Sequence, residues 1–108
     1  MANDIILSTM HTVPGREVKE VLGIVFGTTV RTRGVFGRFV SGIESLTGGK
    51  GEAYLEELDK ARNEALEEMK TKAKQLGANA VLGVDIDLSE ILEGFIMVTA
   101  TGTAIVLK

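Results

Sequence analysis

The chain has 108 residues, 44% hydrophobic against 25% charged, which is a one-domain globular composition and excludes a disordered polymer. Twelve Lys and Arg against fifteen Asp and Glu leave a net charge of −3, so charge alone gives no general attraction to nucleic acid or an anionic membrane. With no Cys, disulfides, thiolate metal sites and cysteine nucleophiles are excluded, and one His with no Trp leaves little catalytic material.

In chain order, Ile5-Ile6-Leu7-Ser8-Thr9 predicts a short apolar strand, stopped near the turn signal Pro14-Gly15. From Val18 to Thr32 β-branched residues dominate, and Gly23 and Gly27 mark a bulge, a bend or a close backbone approach. One long bent strand or two shorter ones are expected there. Phe36, Phe39, Val40, Ile43 and Leu46 have the spacing of a short amphipathic helix over 35–46, which Gly48-Gly49-Lys50-Gly51 ends.

Residues 52–76 contain neither Gly nor Pro and predict a long helix. Leu55, Leu58, Leu66, Met69, Ala73 and Leu76 form its apolar stripe, widened by Ala61 and Ala65. Acids crowd the first turns, Lys70, Lys72 and Lys74 the last, and Gly77 stands where a left-handed cap belongs. The period then changes to two. Ala80, Leu82, Val84, Ile86 and Leu88 are expected on one face of a strand, with Val81, Gly83, Asp85 and Asp87 on the other. Ser89–Gly94 is expected to be a hairpin loop. The return strand 95–107 sets Ile96, Val98, Ala100, Gly102, Ala104 and Val106 opposite Phe95, Met97, Thr99, Thr101, Thr103, Ile105 and Leu107.

These elements predict one α+β domain over 1–108: a two-layer fold with an antiparallel sheet on one long helix, an extra N-terminal strand and a short helix. Ala100, Gly102 and Ala104 are small enough for the helix to come close. The other face, with Val81, Met97, Ile105, Leu107 and three Thr, is too apolar to be wholly wetted. A homo-oligomer is therefore expected, with sister copies covering that face or the last strand's edge. The opening residues show no secretory pattern, and the longest uncharged run, Gly94 to Leu107, is shorter than the ~20 residues of a spanning helix. A cytoplasmic protein without a membrane partner is the expectation.

Candidate sites are few. Asp85 and Asp87, with Glu90 and Glu93 in the adjoining loop, offer oxygen ligands for a hard divalent cation but match no metal-loop motif, and a solvated acidic hairpin end is the favoured reading. His11, the only histidine, can join a metal site only where several copies meet, and a surface or turn histidine is the favoured reading. Residues 11–50 hold six basic and three acidic side chains, while 51–108 hold six and eleven. Arg31, Arg33, Arg38 and Lys50 could thus contact an anion or RNA, although docking between basic and acidic surfaces of subunits suits a chain without stacking aromatics better. Gly48-Gly49-Lys50-Gly51 resembles an anion cradle but lacks the order of a phosphate-binding loop. Arg62 interrupts the helix stripe and must be exposed or paired, with Asp85 as one expected acceptor. No Ser/His/Asp or Cys/His constellation exists, so enzyme activity is not expected, and without Trp neither is flavin stacking.

Arg62 and Ala65 in a long helix, then Gly77-Ala78-Asn79-Ala80-Val81, Gly83, Asp85 and finally Gly102-Thr103-Ala104, with Gly48-Gly49 and Tyr54 ahead of them, resemble the YbjQ-like family over nearly the whole chain. That family carries a heavy-metal-binding label and no established catalytic activity. The resemblance implies a dodecin-like β-α-β-β subunit, assembled as a homopentamer around a sheet-lined centre. It implies structural roles for Arg62, Gly77, Asn79, Gly83 and Gly102. The chain departs from the label in having no thiol. The expected function is that of a non-catalytic homo-oligomeric domain with an unidentified ligand or partner. The alternative is a divalent metal held by oxygen ligands from Asp85, Asp87 and Glu90, with His11, at subunit junctions.

Overall fold

The computed structural model describes residues 4–32, 49–92 and 95–108. The expected short helix over 35–46, Arg33, Arg38, Gly48 and Glu93 lie outside them. A four-stranded mixed sheet carries one long helix, in the order β1 (Ile6–Leu7), β2 (Val18–Thr32), α1 (Gly49–Gln75), β3 (Ala80–Leu92) and β4 (Phe95–Leu107). Across the sheet the order is β1-β3-β4-β2. β4 runs antiparallel to both neighbours, whereas β1 joins β3 in parallel, so the sheet is not purely antiparallel.

β2 is one continuous strand. Gly23, at φ +131°, takes up a register shift against β4 and bends the strand without ending it. At the β3–β4 hairpin the expected loop is shorter than Ser89–Gly94, because Ser89 pairs with Met97 and Glu90 with Ile96. Cross-strand pairing with the apolar Met97 and Ile96 outweighs the polarity of those two residues.

α1 begins at Gly49, within the glycine-rich stretch, because the first turn of a helix has no intrahelical N–H bonds to lose. Its C-terminus closes as a Schellman motif. The Ala78 N–H donates to the Ala73 carbonyl at 3.0 Å and the Gly77 N–H to that of Lys74 at 2.9 Å, with Gly77 at φ +92°. The buried line of the helix is Ala61, Ala65, Met69 and Ala73, every fourth residue and each fully buried. Leu55 and Leu76, expected in the stripe, are exposed instead. The cause lies opposite, in β2. A Cβ on Gly27 would overlap the Ala65 carbonyl oxygen, so bare strand backbone lets the helix descend onto it, and alanine fills three of the four seam positions.

β3 changes face halfway. Gly83, at φ +62°, sits where the register against β4 slips between Leu82 and Asp85. Below it Val81 turns towards α1 while Ala80 and Leu82 pack with Ile105, Leu107 and Val13 on the far side. Above it the parity is reversed: Val84 packs against the helix-side core, and Ile86 and Leu88 flank α1. The simple alternation over 80–88 expected from the sequence is thereby corrected, and Val81 leaves the outer face. Gly102 serves this bulge: a Cβ there would collide with the Val81 side chain and lie 3.4 Å from Cγ2 of Val84.

Candidate functional site

The face of the sheet turned away from α1 is built in cross-strand rows. Val21, Ile105 and Ala80 form one row, Ile24, Thr103 and Leu82 the next, then Phe26, Thr101 and Asp85, then Thr28, Thr99 and Asp87. The N-terminal segment covers only one corner, where Val13 meets Ala80, Leu82, Ile105 and Leu107. Among the described residues nothing else covers the outer face of β2, the edge strand. Ile24 is 66% exposed and Phe26 50%, and Val18, Val21 and Val30 are exposed beside them. From Val21 to Val30 no residue of β2 is charged, so this is a contiguous apolar ridge.

Asp85 and Asp87 share this outer face, next to Thr101 and Thr99. Glu90 pairs with Ile96 and lies on the opposite parity, so it does not join them. His11 stands over the bulge, its Nδ1 3.3 Å from where a Gly83 Cβ would sit, and borders a pocket of about 190 Å³ with Val18, Val21, Leu82, Thr103 and Ile105. The bulge is tied down by the Gly83 N–H to the Met10 carbonyl and the Val84 N–H to the Ser8 carbonyl. Among the described residues no three His, Asp or Glu side chains gather into a metal-holding group. Within one copy the described donors do not fit a heavy-metal site.

On the helix side a groove of about 280 Å³ runs between α1 and β3, lined by Leu58, Arg62, Ile86, Leu88 and Val98. Arg62 pairs with Asp59 one turn earlier and not with Asp85, which the bulge places on the other face of the sheet. Arg31 is committed as well. Its guanidinium lies 2.9 Å from both Glu57 Oε1 and Glu64 Oε2 on α1. That contact raises the Arg31 pKa and, chiefly through the hydrogen bond from Arg31, lowers that of Glu64. Its charge therefore clamps helix to strand, and it is not a free anion contact.

Asn79 closes the far end. Its Nδ2 donates to the Leu107 carbonyl at 3.0 Å and its Oδ1 accepts the Leu107 N–H at 2.7 Å, while its backbone bonds Ile105 and Ile6. Gly77, Asn79, Gly83 and Gly102 thus all occupy positions where backbone geometry or close packing needs them. The β2 ridge was missed in the sequence, although the period-two spacing of Ile24, Phe26, Thr28 and Val30 carried the signal.

A family model described as "Putative heavy-metal-binding" (YbjQ) matches residues 5–108. A UPF0145 protein of Archaeoglobus fulgidus is 44% identical over 108 residues, covering 100% of both chains. A UPF0145 protein of Geobacillus kaustophilus is 42% identical over 103 residues, covering 95% of this chain and 98% of its own. Among solved structures, a protein of unknown function of the DUF74 family from Pediococcus pentosaceus superposes with a TM-score of 0.64 at 18% identity, covering 96% of this chain and 98% of that one. This last likeness shows the shared fold. Among the described residues no helix is long and apolar enough to cross a membrane.

Proposed function

The chain belongs to the YbjQ-like family, and from that premise we propose that it works as a non-catalytic, self-assembling domain in the cytoplasm. Its copies cover one another's apolar sheet faces in a homo-oligomer, pentameric as the family resemblance implies, and the assembly presents the surface that meets its ligand or partner. The observation that carries this reading is the bare β2 ridge of Val21, Ile24, Phe26 and Val30. Burying a large apolar side chain contributes about 1.5–3 kcal/mol, so covering the half still exposed on these four contributes several kcal/mol per junction. Native mass spectrometry of the full chain at micromolar concentration tests the proposal. One defined oligomer, five copies on this reading, is expected, and a folded monomer as the sole species overturns it.

A second reading has one observation behind it, the shared face of Asp85 and Asp87. In an assembly each acid repeats in every copy, and carboxylates from neighbouring copies can complete the six or more oxygens that Ca²⁺ or Mg²⁺ takes. Elemental analysis after exhaustive dialysis checks this. A stoichiometric metal that is lost in Asp85→Asn/Asp87→Asn supports it, and metal-free assembled protein rejects it.

A further inference from the structure

Residues 4–13 run as a strap along the edge of β3 that β4 leaves open. Within the strap β1 pairs with Ala80 and Val81, and the Ser8 N–H donates to the Val81 carbonyl at 3.0 Å. The strap then gives carbonyls to β3: Met10 takes the Gly83 N–H at 2.9 Å and Ser8 the Val84 N–H at 3.0 Å. Both donors lie inside the stretch where β3 slips against β4, and His11 stands over the same glycine. The strap meets α1 at the surface, through the exposed Asp4, which lies 3.1 Å from Lys70 and 3.5 Å from Lys74.

We infer that this strap is a register clamp: it holds the bulge, and its release lets upper β3 settle into an unbulged pairing with its faces exchanged. The device belongs to the single copy and does not depend on self-assembly. Carrying the Leu82–Thr103 pairing on without the extra residue sets Gly83 opposite Gly102, Asp85 opposite Ala100 and Leu88 opposite Met97. The first new pair is glycine against glycine, which brings no side chains into collision. The displaced residue passes to the hairpin end, where a second shift already stands between Glu90 and Leu92. Little burial is at stake, since Asp85, Ile86, Asp87 and Leu88 are all exposed, on both sides of the strand. The bulged pairing keeps Val84 on the helix-side core and gains the two bonds to the strap, and only those bonds depend on the strap. Above Val84, among the described residues, β3 has a ladder partner on the β4 side alone, so one ladder fixes its register. Two pairings of one segment that differ by so few contacts make a two-state element. The exchange takes Asp85 to the helix side, where Arg62 borders the groove, and Ile86 and Leu88 to the outer face.

Two full-length variants decide the matter. Asp4→Lys/Ser8→Pro loosens the strap, by repelling Lys70 and Lys74 and by removing the Ser8 donor. Gly83→Val acts on the bulge itself, whose φ of +62° a β-branched residue rarely adopts. Cross-strand backbone contacts, measured by nuclear magnetic resonance on isotope-labelled protein, read the register directly. The wild type should show Asp85 opposite Thr101 and Leu88 opposite Val98. Both variants should show a shift of one residue, with Asp85 opposite Ala100 and Leu88 opposite Met97. Bulged pairing kept by Gly83→Val overturns the second register, and bulged pairing kept by Asp4→Lys/Ser8→Pro overturns the clamp. Should either variant fail to fold by circular dichroism, Gly83→Ala or Asp4→Lys alone takes its place and is judged in the same way.

Discussion

Gly27 and Ala65 bring strand and helix into backbone contact: the missing side chain of the glycine is the space that the helix's Ala65 carbonyl and Met69 amide occupy. This one approach explains why the helix seam is alanine-rich and why its outer leucines stay wet. Gly27→Ala should therefore destabilise by about 3 kcal/mol or more, since the collision is with main chain that cannot rotate away. Urea denaturation followed by circular dichroism checks this, the transition midpoint falling markedly.

Gly77→Ala makes the contrasting case. Nothing lies within 4 Å of an added Cβ there, and the only penalty is a side chain at φ +92°. The cost should be about 1 kcal/mol, read in the same denaturation experiment. If Gly77→Ala proved as harmful as Gly27→Ala, crowding against the main chain would not be the dominant cost at Gly27.

The Asn79 carboxamide supplies both an acceptor and a donor to the main chain of Leu107. Asn79→Ala should cost about 1–3 kcal/mol by leaving those groups unsatisfied. Asn79→Asp retains the acceptor and loses the donor, so its loss should be intermediate. Amide exchange at Leu107 should accelerate more in the alanine variant than in the aspartate one.

Arg31 links the end of β2 to α1 through Glu57 and Glu64. Because the folded pKa of Glu64 lies below its ordinary 4.5, the unfolded chain takes up the proton first as pH falls. The stabilisation is complete above that value and is lost as pH falls through the folded pKa. Asp4, held low chiefly by its hydrogen bond to Lys70, acts in the same direction. Arg31→Gln should lower stability at neutral pH by about 1–2 kcal/mol and flatten part of the acid loss. Thermal melts between neutral pH and mild acid, compared between the two proteins, read out that difference.

Element type and order were legible because period and punctuation were strong: the gap-free run before Gly77, the change to period two at Ala80, and the β-branched residues of β2. Facing was less legible, and for a definite reason. The alternation over Ala80–Leu88 looks unbroken in letters, yet the bulge at Gly83 inserts a residue and reverses the sides beyond it. Arg62 likewise looked as if it needed Asp85, but a partner one turn away on its own helix was enough. The apolar ridge could be read from Ile24, Phe26 and Val30, whereas the groove opposite it could not, since it joins residues from α1, β3 and β4 that only the folded chain brings together.

The extra residue at Gly83 works as a hinge point for inheritance as much as for geometry. Were the bulge flattened with Gly83 kept as an ordinary strand residue, everything from Val84 upward would exchange sides, carrying Asp85 and Asp87 beneath the helix and lifting Ile86 and Leu88 out to where the carboxylates now stand. A lineage that lost this one codon would instead shed the bulge and keep every other side chain on its present face, because Leu82 already stands opposite Thr103 and Asp85 opposite Thr101.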